Sequence, residues 1–297
     1  MKRLSTSYAN AASCTMNNLL IPTLLILISA EAVYTAEPAK EITIDLGGAK
    51  LEMVLIPVGS FTMGAVRGDR DEYPPHKVNI TKPFYMSKYE LRQDQWSVVM
   101  DGPAPGKFKN PKNPVESVDR KQAADFLKKL NEKLGGKPFI GRGSLDLMDL
   151  PRTLGTYYLP SEAEWEYACR AGSATRYCFG DDAKSLGEYA WFYGNSTGKA
   201  QPVGTKKPNA WGIHDMHGNV WELCRDEYFA DYYTISPTDN PQGMFTTHRH
   251  VTVVRGGGWS YSAKSSRSAE RGYLDMAHHR ERSDALGLRI ARTVEEK

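Results

Sequence analysis

The apolar positions of this chain change period along its length, and the changes mark its elements. Leu51 to Pro57 is an apolar run rich in β-formers, followed at once by Gly59-Ser60-Phe61-Thr62-Met63-Gly64; together they read as strand, turn, strand. Val78 to Lys88, carrying Phe84-Tyr85-Met86, is a second strand-like stretch. At Asp119 the period becomes helical. Asp119 and Gln122 make a capping box, Ala123, Phe126, Leu127, Leu130 and Leu134 share one face, and Gly135-Gly136 stops the helix. Ser161 and Glu164 open another helix, with Trp165, Ala168 and Cys169 as its buried stripe and Gly172 as its end. A shorter helix is predicted over Arg92 to Met100. Beyond Gly172 the helical period is lost, and the sequence becomes dense in Gly, Pro, Asn, Asp and aromatic residues, which predicts long, ordered loops. Loops of that extent need rigid substitutes for ladders: bound ions, buried aromatics and side-chain to backbone hydrogen bonds.

The first residues follow another pattern. Lys2 and Arg3 give a basic start, Leu19 to Ile28 is apolar, and Ala30-Glu31-Ala32 supplies the small-x-small pattern of a signal peptidase site. A signal peptide over 1–32 is expected, with an uncleaved N-terminal anchor as the other reading, then a linker over 33–45 and a single domain over 46–297, with no internal repeat. Cys14 precedes the apolar run, so it does not suit a lipid-modified cysteine. The apolar run is too short to span a bilayer comfortably, and no later run reaches that length, so no membrane span is expected once the leader is removed. The destination implied is secreted or periplasmic.

Composition adds limits and little more. Of 297 residues, 40% are hydrophobic and 25% charged, which suits a packed domain. Lys and Arg total 38 against 35 Asp and Glu, too even a balance to suggest nucleic acid as a partner. Removing the leader leaves Cys169, Cys178 and Cys224. That odd number permits one intramolecular bridge without choosing its ends, and no CxxC spacing supports zinc. The sequons Asn79-Ile80-Thr81 and Asn195-Ser196-Thr197 matter only in a glycosylating pathway.

Five segments then point to a family. Met53-Val54-Leu55-Ile56-Pro57-Val58-Gly59-Ser60-Phe61-Thr62-Met63-Gly64, Leu159-Pro160-Ser161-Glu162-Ala163-Glu164-Trp165-Glu166-Tyr167-Ala168, Gly218-Asn219-Val220-Trp221-Glu222, Arg255-Gly256-Gly257-Gly258-Trp259 and Gly287-Leu288-Arg289 occur in the order of the formylglycine-generating (sulfatase-modifying factor) enzymes. The resemblance covers residues 50–293 and implies an α+β fold, the C-type-lectin-like variant of that family, with little regular secondary structure. In physical terms, Ser161 and the acids after it complement a helix N-terminus. The glycines of 256–258 let backbones approach closely, while Trp259 supplies buried area.

Asp215-Met216-His217-Gly218-Asn219-Val220-Trp221-Glu222 places carboxylates and carbonyls at loop spacing, hard oxygen donors that suit calcium over zinc or copper. The resemblance implies a structural calcium on Asp215, Gly218, Val220 and Glu222. The other reading is an Asx turn with Trp221 in the core. A second family calcium position, near Tyr189-Ala190-Trp191-Phe192, carries Trp191 in place of an asparagine ligand and is not expected to bind.

The family's catalytic signature is absent. Its members hold copper(I) through two cysteines shortly after the glycines, soft thiolates on a soft ion. Here Tyr261 and Ser266 stand at those positions, Gly258 replaces the family serine, and no cysteine follows Cys224. Copper-dependent oxidase activity is therefore not expected. Related cysteine-less branches include pyoverdine-tailoring proteins and sulfoxide synthases. Among the histidines, His214 and His217 have a spacing that lets both reach one ion, though loop packing is the simpler reading; His278-His279 beside Glu281 carry less. No serine among Ser262, Ser265 and Ser266 sits in a nucleophile motif. What remains is a charged, aromatic groove of Trp259, Tyr261, Lys264, Ser266, Arg267 and Arg271, unless Arg267 and Arg271 pair with acids such as Glu270 and Asp275. The expected function is binding of a peptide, protein or small molecule in the former active-site groove. Two alternatives stay open: a cysteine-independent oxidoreductase or tailoring enzyme, and a sulfatase-maturing enzyme with unfamiliar ligands. Oligomeric state is left open.

Overall fold

The computed structural model describes residues 41–135, 155–243, 251–275 and 283–294. The predicted leader, residues 33–40, and the group His278, His279 and Glu281 lie outside them.

Three sheets carry the fold. The largest has the order β1-β2-β5-β11-β6 and is antiparallel throughout, built from β1 (Glu41–Asp45), β2 (Lys50–Ile56), β5 (Phe84–Ser87), β11 (Ala291–Thr293) and β6 (Tyr157–Tyr158). A two-stranded ribbon pairs β3 (Gly59–Met63) with β4 (His76–Ile80). The third has the order β10-β7-β8-β9, from β10 (Leu286–Leu288), β7 (Trp221–Glu227), β8 (Val251–Arg255) and β9 (Gly272–Asp275), with β10 parallel to β7 and the other pairs antiparallel.

Several expectations need adjusting. Glu41 to Asp45, read as the end of a linker, is a strand whose Ile42 pairs opposite Met53. Its exposed and half-buried residues alternate, a pattern too weakly apolar to announce an edge strand. The stretch Val78 to Lys88 is two strands in different sheets, with Pro83 between them. The region beyond Gly172 contains the whole third sheet. The β7 segment reads Trp-Glu-Leu-Cys-Arg-Asp-Glu and is buried at every position, so the period-two alternation that marks a half-buried strand is absent.

The helices agree closely with their capping signals. Helix α1 (Gln93–Met100) starts after Arg92, and α2 (Arg120–Lys133) after Asp119, whose side chain accepts from Gln122 N. In α3 (Glu162–Arg170), Ser161 accepts from Glu164 N, and the end is left-handed at Ala171 and Gly172. A one-turn α4 (Leu186–Tyr189) follows later. The amphipathic reading of α3 understates its burial, because all nine residues are buried, including Glu162, Glu164, Glu166 and Arg170. Among the described residues no helix is long and apolar enough to cross a membrane.

Two large core clusters result. One gathers α1, α2 and the strands facing them, with Trp96 stacked on Phe126 at 5.1 Å between ring centroids. The other surrounds Trp165 of α3, with Val54, Met86, Ile213 and Cys224. The second core adjoins the segment that carries the candidate site.

Candidate functional site

After β8 the chain turns at Gly256 and Gly257, whose φ values are 100° and 76°. A Cβ on Gly257 would lie 2.6 Å from the Ser265 carbonyl oxygen, so only glycine lets these strands of loop close on each other. Trp259 follows with its amide donating to Asn219 O at 2.7 Å and its indole Nε1 to Asp284 O at 2.9 Å. Its ring meets Phe108 edge-on, and Tyr261 stands in the same way on Trp221. Tyr261 is 40% exposed. Its carbonyl accepts from the amide of Tyr193, another exposed aromatic. These residues form an aromatic lip.

The other predicted groove residues turn inward. Ser266 is fully buried and its Oγ has no hydrogen-bond partner among the described residues. Arg267 is buried and donates to both oxygens of Glu72 at 2.7 Å, and also pairs with Glu270. Arg271 holds Glu162 through bonds of 2.7 and 2.9 Å, donates to the carbonyls of Asp71 and Phe229, and lies over the rings of Tyr228 and Tyr233. A guanidinium fork committed to a buried carboxylate has few N–H groups left for a ligand. The structure thus places Arg267 and Arg271 in buried ion pairs, the alternative that the sequence left open, though Glu72 and Glu162 are the main partners. Lys264 stays at the surface and pairs with Asp69 at 2.8 Å. Asp69, Glu72 and Glu270 offer carboxylate oxygens within 4.8 Å of one another, but Arg267 contacts all three and Lys264 pairs with Asp69, which offsets much of their charge. Burial raises the Glu270 carboxyl to about 7 despite Arg267.

The two histidines of the 215–222 segment part ways. His217 is buried; its Nδ1 donates to Ser266 O at 2.8 Å and its Nε2 accepts from Cys178 N at 3.0 Å. Both ring nitrogens are used, so the ring is neutral, and burial lowers its pKa to about 4. His214 instead faces Lys206 O and the ring of Tyr89, so the pair does not share an ion. Cys169 Sγ lies 3.9 Å from His217 Nε2. Cys169, Cys178 and Cys224 are all free thiols. Burial raises all three, Cys178 to about 12, which keeps them protonated and poor ligands for a soft ion.

Of the expected calcium ligands, Glu222 is already engaged by other side chains. Glu222 Oε1 accepts from Arg289 Nη2 at 2.7 Å and Nε at 3.1 Å. Oε2 accepts from Arg289 Nε at 2.9 Å and from the Trp165 indole at 2.6 Å. A carboxylate offers about four lone-pair directions, and these contacts use them. Asp215 donates nothing to that arrangement: its Oδ2 accepts from Gly204 N at 2.7 Å and its buried Oδ1 is without a partner. Gly218 serves close approach, since a Cβ there would lie 2.3 Å from Trp191 O. Val220 gives its amide to Glu90 Oε1 at 3.0 Å, and Glu90 Oε2 accepts from Asn219 Nδ2 at 2.6 Å. Burial together with Asp215 and Glu222 raises Glu90 well above the usual carboxylate range, and burial raises Asp215 to about 6. Glu90, Glu72 and Glu162 were not foreseen as partners. Nothing local in the sequence distinguishes Glu90 and Glu72, whereas Glu162 and Arg289 lay within quoted motifs.

Comparisons with known proteins agree with this architecture. The family model for the sulfatase-modifying factor enzyme 1-like domain matches residues 45–294. A serine/threonine-protein kinase, Pkn1 of Chlamydia pneumoniae, is 31% identical over 252 residues, which is 82% of this chain but only 38% of that protein. The chaperone protein LppX of Paenibacillus barcinonensis is 28% identical over 243 residues, 71% of this chain and 81% of its own length. Among solved structures, Treponema denticola variable protein 1 superposes with a TM-score of 0.73 at 27% identity, covering 85% of this chain and 99% of its own. With the fold, the motif order and the match over 45–294 in agreement, the chain belongs to the sulfatase-modifying factor enzyme 1-like (formylglycine-generating enzyme) family.

Proposed function

We propose that this chain is an exported binding domain that uses the aromatic lip over the former catalytic groove and does not run copper-dependent oxidation. The observation that carries this reading is the fate of the two positions where the family's thiols stand. Tyr261 projects to solvent and Ser266 is fully buried, so they do not face a common ion, and neither a phenol nor a hydroxyl suits copper(I). The remaining thiols are held protonated by burial. A half-buried Trp259 beside an exposed Tyr261, backed by Phe108 and Trp221, offers rigid, amphipathic area of the kind that anchors peptides. The likeness to a protein named as a chaperone, over most of that protein's length, supports a protein segment as the ligand. The kinase activity named for Pkn1 is not transferred, since this chain spans 38% of it.

Two measurements test the reading. Purified protein given copper(I), oxygen and a cysteine-containing sulfatase peptide is expected to leave the cysteine unchanged by mass spectrometry; conversion above a copper-only control overturns the proposal. Against a peptide library, Trp259→Ala and Tyr261→Ala are expected to weaken the selected peptides at least about tenfold. Export predicts a mature N-terminus close after Ala32, read by N-terminal sequencing of protein recovered outside the cytoplasm.

A further inference from the structure

We infer that Arg289 is the built-in cation of the 215–222 loop, doing with a covalently tethered guanidinium what the family resemblance assigned to calcium. Arg289 is fully buried. It gathers oxygens from three separated stretches: Ser87 O at 2.8 Å at the end of β5, His214 O at 2.8 Å before the loop, and both oxygens of Glu222 in β7. Carbonyls and a carboxylate from distant segments are the ligand types that a structural calcium collects. Here four of the roughly five N–H donors of the fork collect them instead. The indole of Trp165 closes the last direction on Glu222, and Glu90 binds the loop's own Asn219 side chain and Val220 amide. Glu222, the carboxylate that a divalent ion at this loop would need most, is thus already bridged, while Asp215 Oδ1 is without a partner.

The physical difference is one of mass action. A calcium-held loop is stabilised in proportion to the logarithm of free ion over dissociation constant, and loses that support in a chelator. A tethered guanidinium cannot dissociate, so the loop's integrity is independent of calcium. Asp215 then becomes a surplus acid in a buried, acid-rich cluster with Glu90 and Glu222, where removing its charge relieves repulsion.

The test is thermal unfolding of the full chain in excess EDTA and in millimolar calcium, for wild type, Asp215→Asn, Arg289→Lys and Arg289→Met. Tm of the wild type is expected to agree between the two media within about 1 °C, and Asp215→Asn to melt at or above wild type in both. Arg289→Met is expected to lower Tm by about 10 °C in both media, with Arg289→Lys in between, because Lys keeps the charge but not the fork. A wild-type Tm that falls in EDTA and stops doing so in Asp215→Asn overturns the inference, as does an Arg289→Met protein as stable as wild type. A chelator-induced fall that persists in Asp215→Asn also overturns it, because an asparagine side-chain carbonyl still ligates calcium. If Arg289→Met does not fold, the wild-type and Asp215→Asn curves decide alone.

Discussion

The two halves of this protein are held together by different physics. Around α1 and α2 the core is apolar: Trp96, Phe126, Leu127, Leu130, Leu223 and Leu288 pack with polar groups kept to caps and edges. Around α3 and β8 the interior is threaded by charge. Glu166 is buried between Arg170 and Arg255, Glu162 is held by Arg271, and Glu222 by Arg289. The first half gains stability from area removed from water. The second replaces missing regular structure with arginines that satisfy loop carbonyls, as when Arg255 donates to Ala269 O and Ser268 O. Such pairs add modest net stability but are very costly to break singly, because the partner is left as a buried charge.

The comparison is sharpest where each half is cut. Arg255→Met leaves Glu166 with one guanidinium and three loop carbonyls without a donor; a loss of about 3 to 5 kcal/mol is expected in denaturant titration. In the apolar half, Leu130→Ala is expected to cost about 3 kcal/mol by transfer and cavity terms. If Arg255→Met proves milder than Leu130→Ala, the polar half is not the brittle one.

His217 supplies a pH test that the apolar half lacks. Its folded pKa is depressed to about 4, below the usual 6.5 or so. The unfolded state therefore binds the proton first, and the stability due to this neutral ring is complete above about pH 6.5 and is lost as pH falls toward 4. The difference in unfolding free energy between wild type and His217→Gln is expected to shrink across that window by on the order of 2 to 3 kcal/mol. A flat difference means the imidazole is not held neutral by the fold. Below these in size, Asp119→Ala removes the acceptor for Gln122 N and is expected to cost about 1 kcal/mol. Smallest is Tyr261→Ala, expected to change stability by less than about 0.5 kcal/mol while abolishing ligand binding. A large stability loss there makes Tyr261 part of the scaffold.

The same division explains what could be read in advance. Asp119 with Gln122, Ser161 with Glu164, and the stripe from Ala123 to Leu130 are local signals, and α2 and α3 lie where those signals put them. The absence of thiols after Cys224 needed no structure either. The β7 strand was hidden because burial on both faces erases its alternation. Arg267 and Arg271 were read as groove residues because a charged residue in a loop has no local mark of burial; their partners Glu72 and Glu162 are 195 and 109 residues away. Glu222 was read as a metal ligand for the same reason, since Arg289 lies 67 residues on. Trp259 and Tyr261 were read as groove residues; in the structure the first is half-buried and the second exposed, just beyond the turn at Gly256 and Gly257.

The position of β11 carries one more consequence. Ala291 to Thr293 is an interior strand, seated between β5 and β6 with Ala291 opposite both Met86 and Tyr158. The largest sheet therefore closes only once residues far along the chain are made, since Ala291 pairs with both Met86 and Tyr158. Until then β5 and β6 have no common neighbour, and Arg289 has not reached Glu222. Closure of this sheet is thus a long-range step, slow because its loop-closure entropy comes before its contacts. A chain truncated before residue 289 is expected to present open strand edges and an interior Glu222 without its arginine, and to be more sensitive to protease than the whole domain.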